Sequence, residues 1–370
     1  MFYGGVMTFA QRLGLVQAGL LAAGIDAALM TPGADLRYLT GYDAKALERL
    51  TCLVVRANAD PVLVVPALEV LAAQASPVKE LGLEICSWQE TENPYALTAH
   101  LVGPASVVAL DDHMWAQKVL DLRAEMPATR QVLAGQIIAP IRMRKDASEI
   151  AALRRAGAAI DEVHAKVPGC LRPGRTEREV GIDIANLIIA AGHVAVDFII
   201  VASGPNAASP HHEVSDRVLE IGDPVVVDIG GTMPDGYRSD CTRTYHLGAP
   251  GAEYASSYAI LLQAQMAACA AVQPKVTCEQ VDATARAVLT AAGLGELFIH
   301  RTGHGIGLES HEEPYMVAGN ALPLAAGMVF SVEPGFYLAG SYGARIEDIV
   351  VCTDSGYESL NHQPRDLVIV

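Results

Sequence analysis

Four carboxylates, Asp228, Asp240, Glu333 and Glu347, and one histidine, His304, sit in settings that demand a chemical reason. Asp228 follows three valines in VVVDIGG, so it belongs to a strand expected to be buried on both faces. Glu333 in VFSVEPG is placed in the same way, and Asp240 and Glu347 lie in the β-rich runs RSDCTRTYHL and ARIEDIVV. An acid on a buried strand is costly unless it is paired or bound to a metal. Any one of them alone could be satisfied by backbone N–H groups or by an arginine. Four together are harder to satisfy. Arg238, Arg243 and Arg345 are near in sequence, but three guanidinium groups do not easily share one apolar core with four acids. Two divalent cations would neutralise all four, and His304 would add a neutral nitrogen donor. Oxygen ligands with one imidazole suit manganese, cobalt, iron or zinc better than calcium.

His304 lies in RTGHGIGLESHEEP, a stretch dense in glycine with no helix or strand period. Such glycines let a backbone come close to something, and here the expected object of approach is the metal pair. A phosphate-cradling loop is the competing reading, but neither a GxGxxG spacing nor a Walker lysine is present.

The elements that must position these groups can be read from period and punctuation. FAQRLGLVQAGLLAAG has helical spacing and stops at Gly24, and the runs AALMT, CLVVRA, PVLVV and SVVALDD read as strands. Strands alternating with helices make residues 1–140 an α/β domain. In IIAPIRMRKDASEIAALRRAG, Asp146 followed by Glu149 forms a capping box, so a long helix opens a second domain, 141–370. Within it an apolar strand carrying an acid, followed by a second acid strand, occurs twice: Asp228 with Asp240, then Glu333 with Glu347. Two related halves facing each other are expected.

Composition bounds the rest. A hydrophobic content of 51% fits a compact globular protein, and a net charge of -16 argues against a nucleic-acid partner. The N-terminal MFYGGVMTFAQRLG lacks the basic and apolar regions of a secretory signal, and Met7 is an alternative start. The uncharged stretch from Tyr254 to Pro274 is interrupted by Ser and Gln and reads as a buried helix, so no membrane partner is expected. Seven widely spaced cysteines with no CxxC read as reduced thiols of a cytoplasmic protein.

The blocks SGPNAASPHHEVSDRVLEIGDPVVVDIGG, YRSDCTRTYHLG, HRTGHGIGLESHEEP, GMVFSVEPGFY and ARIEDIVV closely resemble the pita-bread metallopeptidases. Within that group they are similar to the Xaa-Pro peptidases, prolidase and aminopeptidase P. The resemblance covers nearly all of the chain from Asp146 onward. It implies an α/β creatinase-like N-terminal domain before an α+β pita-bread domain with pseudo-twofold halves. It also implies two divalent metal ions, manganese first and cobalt, zinc or iron next, with Asp228, Asp240, His304, Glu333 and Glu347 as ligands. In that pattern Asp240 and Glu347 bridge the metals, and water held between them attacks as hydroxide while Glu333 takes its proton. His211 corresponds to a mobile substrate-side histidine, with His212 beside it a bystander, and His311 to a second catalytic histidine. His300, Arg345 and Tyr337 match substrate or supporting positions, Arg345 orienting the bridging acid. A homodimer acting on small peptides is the usual form of such enzymes.

The larger prolidases carry an arginine upstream of VEPG that grips the carboxylate of the dipeptide, but the corresponding stretch here, YMVAGNALPLAAG, has neither Arg nor Lys. Dipeptides and longer peptides therefore both stay open as substrates. Two other classes remain beside the Xaa-Pro peptidase: a different C–N hydrolase on the same fold, acting on an amide or a creatine- or ectoine-like compound, and a non-catalytic binding protein.

Overall fold

The structure is a computed structural model that describes residues 5–370. The first four residues of the 1–140 span lie outside the described ones. The chain divides into two compact units, Val6–Arg142 and Met143–Val370, the latter joined by Gly5.

The first unit is built on a six-stranded sheet in the order Glu84–Trp88, Val62–Pro66, Cys52–Arg56, Ala27–Met30, Val107–Leu110, Arg130–Leu133. Cys52–Arg56 runs antiparallel to both its neighbours, and the other pairings are parallel. The expected first helix is Phe9–Ala23; it begins at a Thr8 capping box and ends where Gly24 takes a φ of 65°. Its buried Leu13, Val16 and Leu20 recur at helical spacing. Glu84–Trp88 and Arg130–Leu133 were not foreseen, because these edge strands are partly exposed and lack a run of apolar residues.

In the second unit the helix Ala147–His164 starts at the Asp146 capping box, as the spacing predicts. Together with Glu177–Ala190 it covers a four-stranded sheet whose strands include Ala195–Ser203, Pro224–Thr232 and Arg238–His246. The helices Ala252–Ala271 and Cys278–Ala291 cover a second sheet, which includes Gly303–Gly305, Glu312–Met316, Val329–Val332 and Asp348–Cys352. Each half is thus a helix pair on a sheet whose pairings are antiparallel, save that the C-terminal edge strand Val368–Ile369 runs parallel to Arg238–His246 in the first. The uncharged stretch from Tyr254 is part of a core helix that buries Tyr254, Tyr258, Leu261, Ala264 and Ala268. No helix among the described residues is long and apolar enough to cross a membrane.

Strand alternation aims the acids. Val225, Val227 and Ile229 pack beneath the first helix pair, so Asp228 points from the opposite face. Phe330 and Val332 do the same beneath the second pair, which turns Ser331 and Glu333 the other way. Asp240 lies opposite Gly230 in the register of Pro224–Thr232 with Arg238–His246. The two sheets are stitched together where these faces meet: Glu347 N donates to Thr242 O at 3.1 Å, and Thr244 Oγ1 donates to Arg345 O at 2.9 Å.

Candidate metal centre

Asp240, His304 and Glu347 are buried and bring one ligand-type atom each within 4.8 Å of one another. His304 Nε2 lies 3.8 Å from Asp240 Oδ2 and 3.3 Å from Glu333 Oε1. Its other nitrogen, Nδ1, donates to Gly305 O at 3.1 Å, so the proton sits there and the Nε2 lone pair faces the acids. Burial, reinforced by the neighbouring His311, lowers the His304 pKa to about 3 and keeps the imidazole neutral. Asp228 falls outside the trio, held by Arg345, but its charge still weighs on Asp240, Glu333 and Glu347.

Burial is the main reason the Asp240 and Glu347 carboxyls are raised well above the usual range, and repulsion from the other acids adds to it. Glu333 is pushed up to about 7, first by burial and then by Asp228, with Arg345 pulling the other way. The other two arginines near these acids in sequence are engaged elsewhere: Arg238 with Asp197 at 2.6 Å, and Arg243 with Asp348 at 2.7 Å. Two buried oxygens, Asp228 Oδ1 and Glu347 Oε1, accept no hydrogen bond from the described residues. Buried acceptors are rarely left that way. Crowded carboxylates, orphaned oxygens and one lone-pair nitrogen are the donor set that divalent cations fit.

The glycines around His304 serve a different end from the one the sequence suggested. A Cβ on Gly303 would lie 1.8 Å from Ser331 O, and one on Gly305 would lie 2.3 Å from Glu313 O. They let the short strand Gly303–Gly305 wedge between its neighbours, and the backbone approaches strand carbonyls rather than the acid cluster.

Around the cluster stand three further histidines. The His311 ring centroid lies 3.9 Å from that of His304. Arg301 Nη2 is 3.4 Å from His311 Nδ1, which can only accept there, so the proton of neutral His311 sits on Nε2. Burial first and then Arg301 lower the His311 pKa. His300 has both nitrogens engaged: Nδ1 lies 2.8 Å from Arg301 O and Nε2 lies 2.8 Å from the Tyr337 hydroxyl. That hydroxyl accepts from Arg345 Nη1 at 2.8 Å and donates onward to His300, whose pKa burial lowers to about 3. His211 is exposed and has no hydrogen-bond partner among the described residues, yet its charge reaches both His300 and His311.

Three features escaped the sequence. Arg345 contacts Asp228 directly at 2.6 Å and reaches the bridging candidate Glu347 through Thr242, whose hydroxyl donates to Glu347 Oε2 at 2.8 Å. His212, read as a bystander, places Nε2 2.7 Å from Glu177 Oε2. Glu177 also accepts from Ser203, Asn206 and Ser215, and so clasps the loop that carries His211. Lys145 is buried against Glu312 at 2.6 Å, beside His311. None of these partners is close in sequence, so no motif could have paired them.

Residues 151–354 match metallopeptidase family M24, and residues 12–144 match the creatinase/prolidase N-terminal domain. The chain is 52% identical to a probable dipeptidase PepE of Mycobacterium tuberculosis over 98% of this chain and 96% of that protein. It is 36% identical to an Xaa-Pro dipeptidase of Lactobacillus helveticus, covering 97% of this chain and 99% of the relative. The solved dipeptidase PepE of Mycobacterium ulcerans superposes with a TM-score of 0.94 at 52% identity, covering 98% of each chain. The two-domain architecture expected from the sequence, a creatinase-like domain before a pita-bread domain, is the one these matches carry.

Proposed function

The chain belongs to metallopeptidase family M24, a family of hydrolases that take divalent metal ions, and from that membership we propose that it cleaves the Xaa-Pro bond of dipeptides or other short peptides. In this reading residues 141–370 form the catalytic domain and 1–140 the N-terminal domain. Two cations would be held by Asp228, Asp240, His304, Glu333 and Glu347, with manganese the first choice and cobalt, zinc or iron next. The observation that carries the reading is the buried trio Asp240, His304 and Glu347, flanked by the orphaned oxygens of Asp228 and Glu347.

When bound, the cations would supply Lewis acidity toward the scissile carbonyl and a water acidified to hydroxide near neutral pH. The chain's own groups do the rest. Glu333, close to His304 Nε2, is the carboxylate positioned to hold the proton taken from that water. His311, protonated on Nε2, offers a donor for the carbonyl oxygen as negative charge develops on it. His211, exposed and without a hydrogen bond among the described residues, is free to swing to the leaving nitrogen and protonate it. The prolyl nitrogen of the substrate carries no N–H, so an enzyme that grips the carbonyl instead suits this bond. His300, Tyr337 and Arg345 form one hydrogen-bonded chain ending on Asp228, and their role is to hold that ligand. The seven cysteines are all free, which supports a reducing, cytoplasmic setting, and a homodimer is the assembly that the resemblance implies.

A substrate panel tests the reading. With added manganese, Xaa-Pro dipeptides should be cleaved, matched non-prolyl dipeptides less so, and chelation should stop both. Metal-loaded protein that leaves every Xaa-Pro peptide intact would favour another amide as the substrate.

A further inference from the structure

A lysine ammonium is strongly hydrated and is seldom taken out of water. Lys145 is 2% exposed, and Glu312, which it meets at 2.6 Å, is 8% exposed. The attraction between two buried charges often does no more than offset their lost hydration, and an apolar pair of similar volume serves stability as well or better. Stability is therefore a weak reason for this pair. Its placement supplies a stronger one.

Lys145 projects from backbone that is fixed on both sides. Its own N–H donates to Gly327 O at 2.8 Å. The next residue, Asp146, caps the helix Ala147–His164 by accepting from the N–H groups of Ser148 and Glu149. Glu312 opens the strand Glu312–Met316, opposite Gly305, and ends the loop 306–311 that follows the strand Gly303–Gly305. Its carboxylate turns back beneath that loop: a Cβ on Gly307 would lie 2.8 Å from Glu312 Oε1 and 3.1 Å from Oε2. Arg238 ties the start of the loop, its N–H donating to Gly307 O at 3.0 Å and its Nε to Leu308 O at 3.2 Å. Lys145 ties the end.

His311 is the last residue of the loop, directly before Glu312. It retains solvent exposure, so close packing does not fix its ring. The ring leans on His304 and on one contact from Arg301, and its backbone depends on the anchor one residue further on. We propose that the Lys145–Glu312 ion pair positions His311, holding the end of the loop so that the Nε2 hydrogen of the imidazole meets the substrate carbonyl. The inference rests on the role given to His311 above. Lys145 and Glu312 act through His311, so their loss should appear in kcat, with KM and metal affinity unchanged.

The test removes the charges and keeps the volume. Lys145→Met/Glu312→Leu replaces the pair with apolar side chains and avoids the stranded charge that either change alone would leave. Glu312→Gln is the conservative variant, which keeps an oxygen acceptor for the ammonium. Each manganese-loaded protein is assayed on Ala-Pro and titrated with manganese after chelation, below its melting temperature. Zinc-loaded samples, free of paramagnetic broadening, give the imidazole NMR signals, with His311 assigned by its disappearance in His311→Gln. The double variant should lose about ten- to a hundredfold in kcat, the scale of a misplaced catalytic group, and Glu312→Gln should lose less. The His311 signals should shift or broaden in the same order. Wild-type kcat with unmoved His311 signals in the double variant overturns the assignment. So does a fall in kcat without movement of those signals, and so does weakened manganese binding, which would make the pair a support for the metal ligands. If wild type leaves Ala-Pro intact, the Xaa-Pro reading fails, and the imidazole signals alone decide whether the pair holds His311.

Discussion

Arg345 Nη2 donates to Asp228 Oδ2 at 2.6 Å, and the same guanidinium also holds the Tyr337 hydroxyl and the Thr242 hydroxyl. One planar group fixes a ligand candidate and couples it to Glu347 through Thr242. Lysine has a single ammonium and cannot make the three contacts at once. Arg345→Lys is therefore expected to weaken metal binding about 10- to 100-fold, as the loss of a partner that orients a ligand typically does. Titration of chelated protein with manganese checks this; an unchanged midpoint would mean that Asp228 needs no such support.

Glu177 draws Ser203, Asn206, Ser215 and His212 onto one buried carboxylate. Burial alone would raise its pKa, but the hydrogen bonds from Ser215, Ser203 and His212 outweigh it and hold the carboxyl below its ordinary value. His212 thereby becomes a positioning residue for the His211 loop. His212→Phe should lower kcat by about tenfold, a loss of alignment, while manganese affinity stays as in wild type. His212→Gln, which keeps a donor, should restore most of the rate. Equal kcat in the phenylalanine variant would return His212 to the status of a bystander.

His211 itself is exposed and makes no hydrogen bond among the described residues, so its removal should cost chemistry without costing the fold. His211→Ala is expected to bind manganese normally and to lose about 100-fold or more in kcat on Xaa-Pro dipeptides, the usual scale for a general acid. A variant with wild-type kcat would take His211 out of the reaction.

The acid cluster also predicts a pH dependence of stability. Glu333 has an ordinary value of 4.5 and is pushed up to about 7 in the fold, so between those values the folded state binds more protons than the unfolded one. Stability from this group is full below pH 4.5 and is lost as pH rises toward about 7. In chelator, Glu333→Gln should therefore gain on wild type in thermal stability across that interval. Saturating manganese should reverse the comparison at neutral pH, because the wild-type carboxylate then has a cation to meet. A difference that does not change with pH would show that Glu333 carries no such strain.

The sequence carried the strand context of the candidate ligands well, because burial on an apolar strand is written in local pattern: the valines before Asp228 and the VFSV before Glu333. The capping box at Asp146 located the start of the helix Ala147–His164 for the same reason. What stayed hidden were pairings made across the fold. Nothing adjacent to Glu177 announces His212, and nothing adjacent to Lys145 announces Glu312. The glycines of TGHGIG were visible, but their use was misread, because a close approach to Ser331 O depends on a strand that arrives later in the chain.

The metal-ligand candidates are split between two sheets, Asp228 and Asp240 on one and His304, Glu333 and Glu347 on or beside the other. A nascent chain that has completed only the earlier sheet owns two carboxylates and no imidazole from this set, too few donors to retain a transition ion against cellular competitors. Cation capture must then be among the last events of biogenesis, after the second sheet has docked. Starvation for the ion would consequently leave fully built but repulsive apoenzyme in the cell, ready to be activated in place once supply returns.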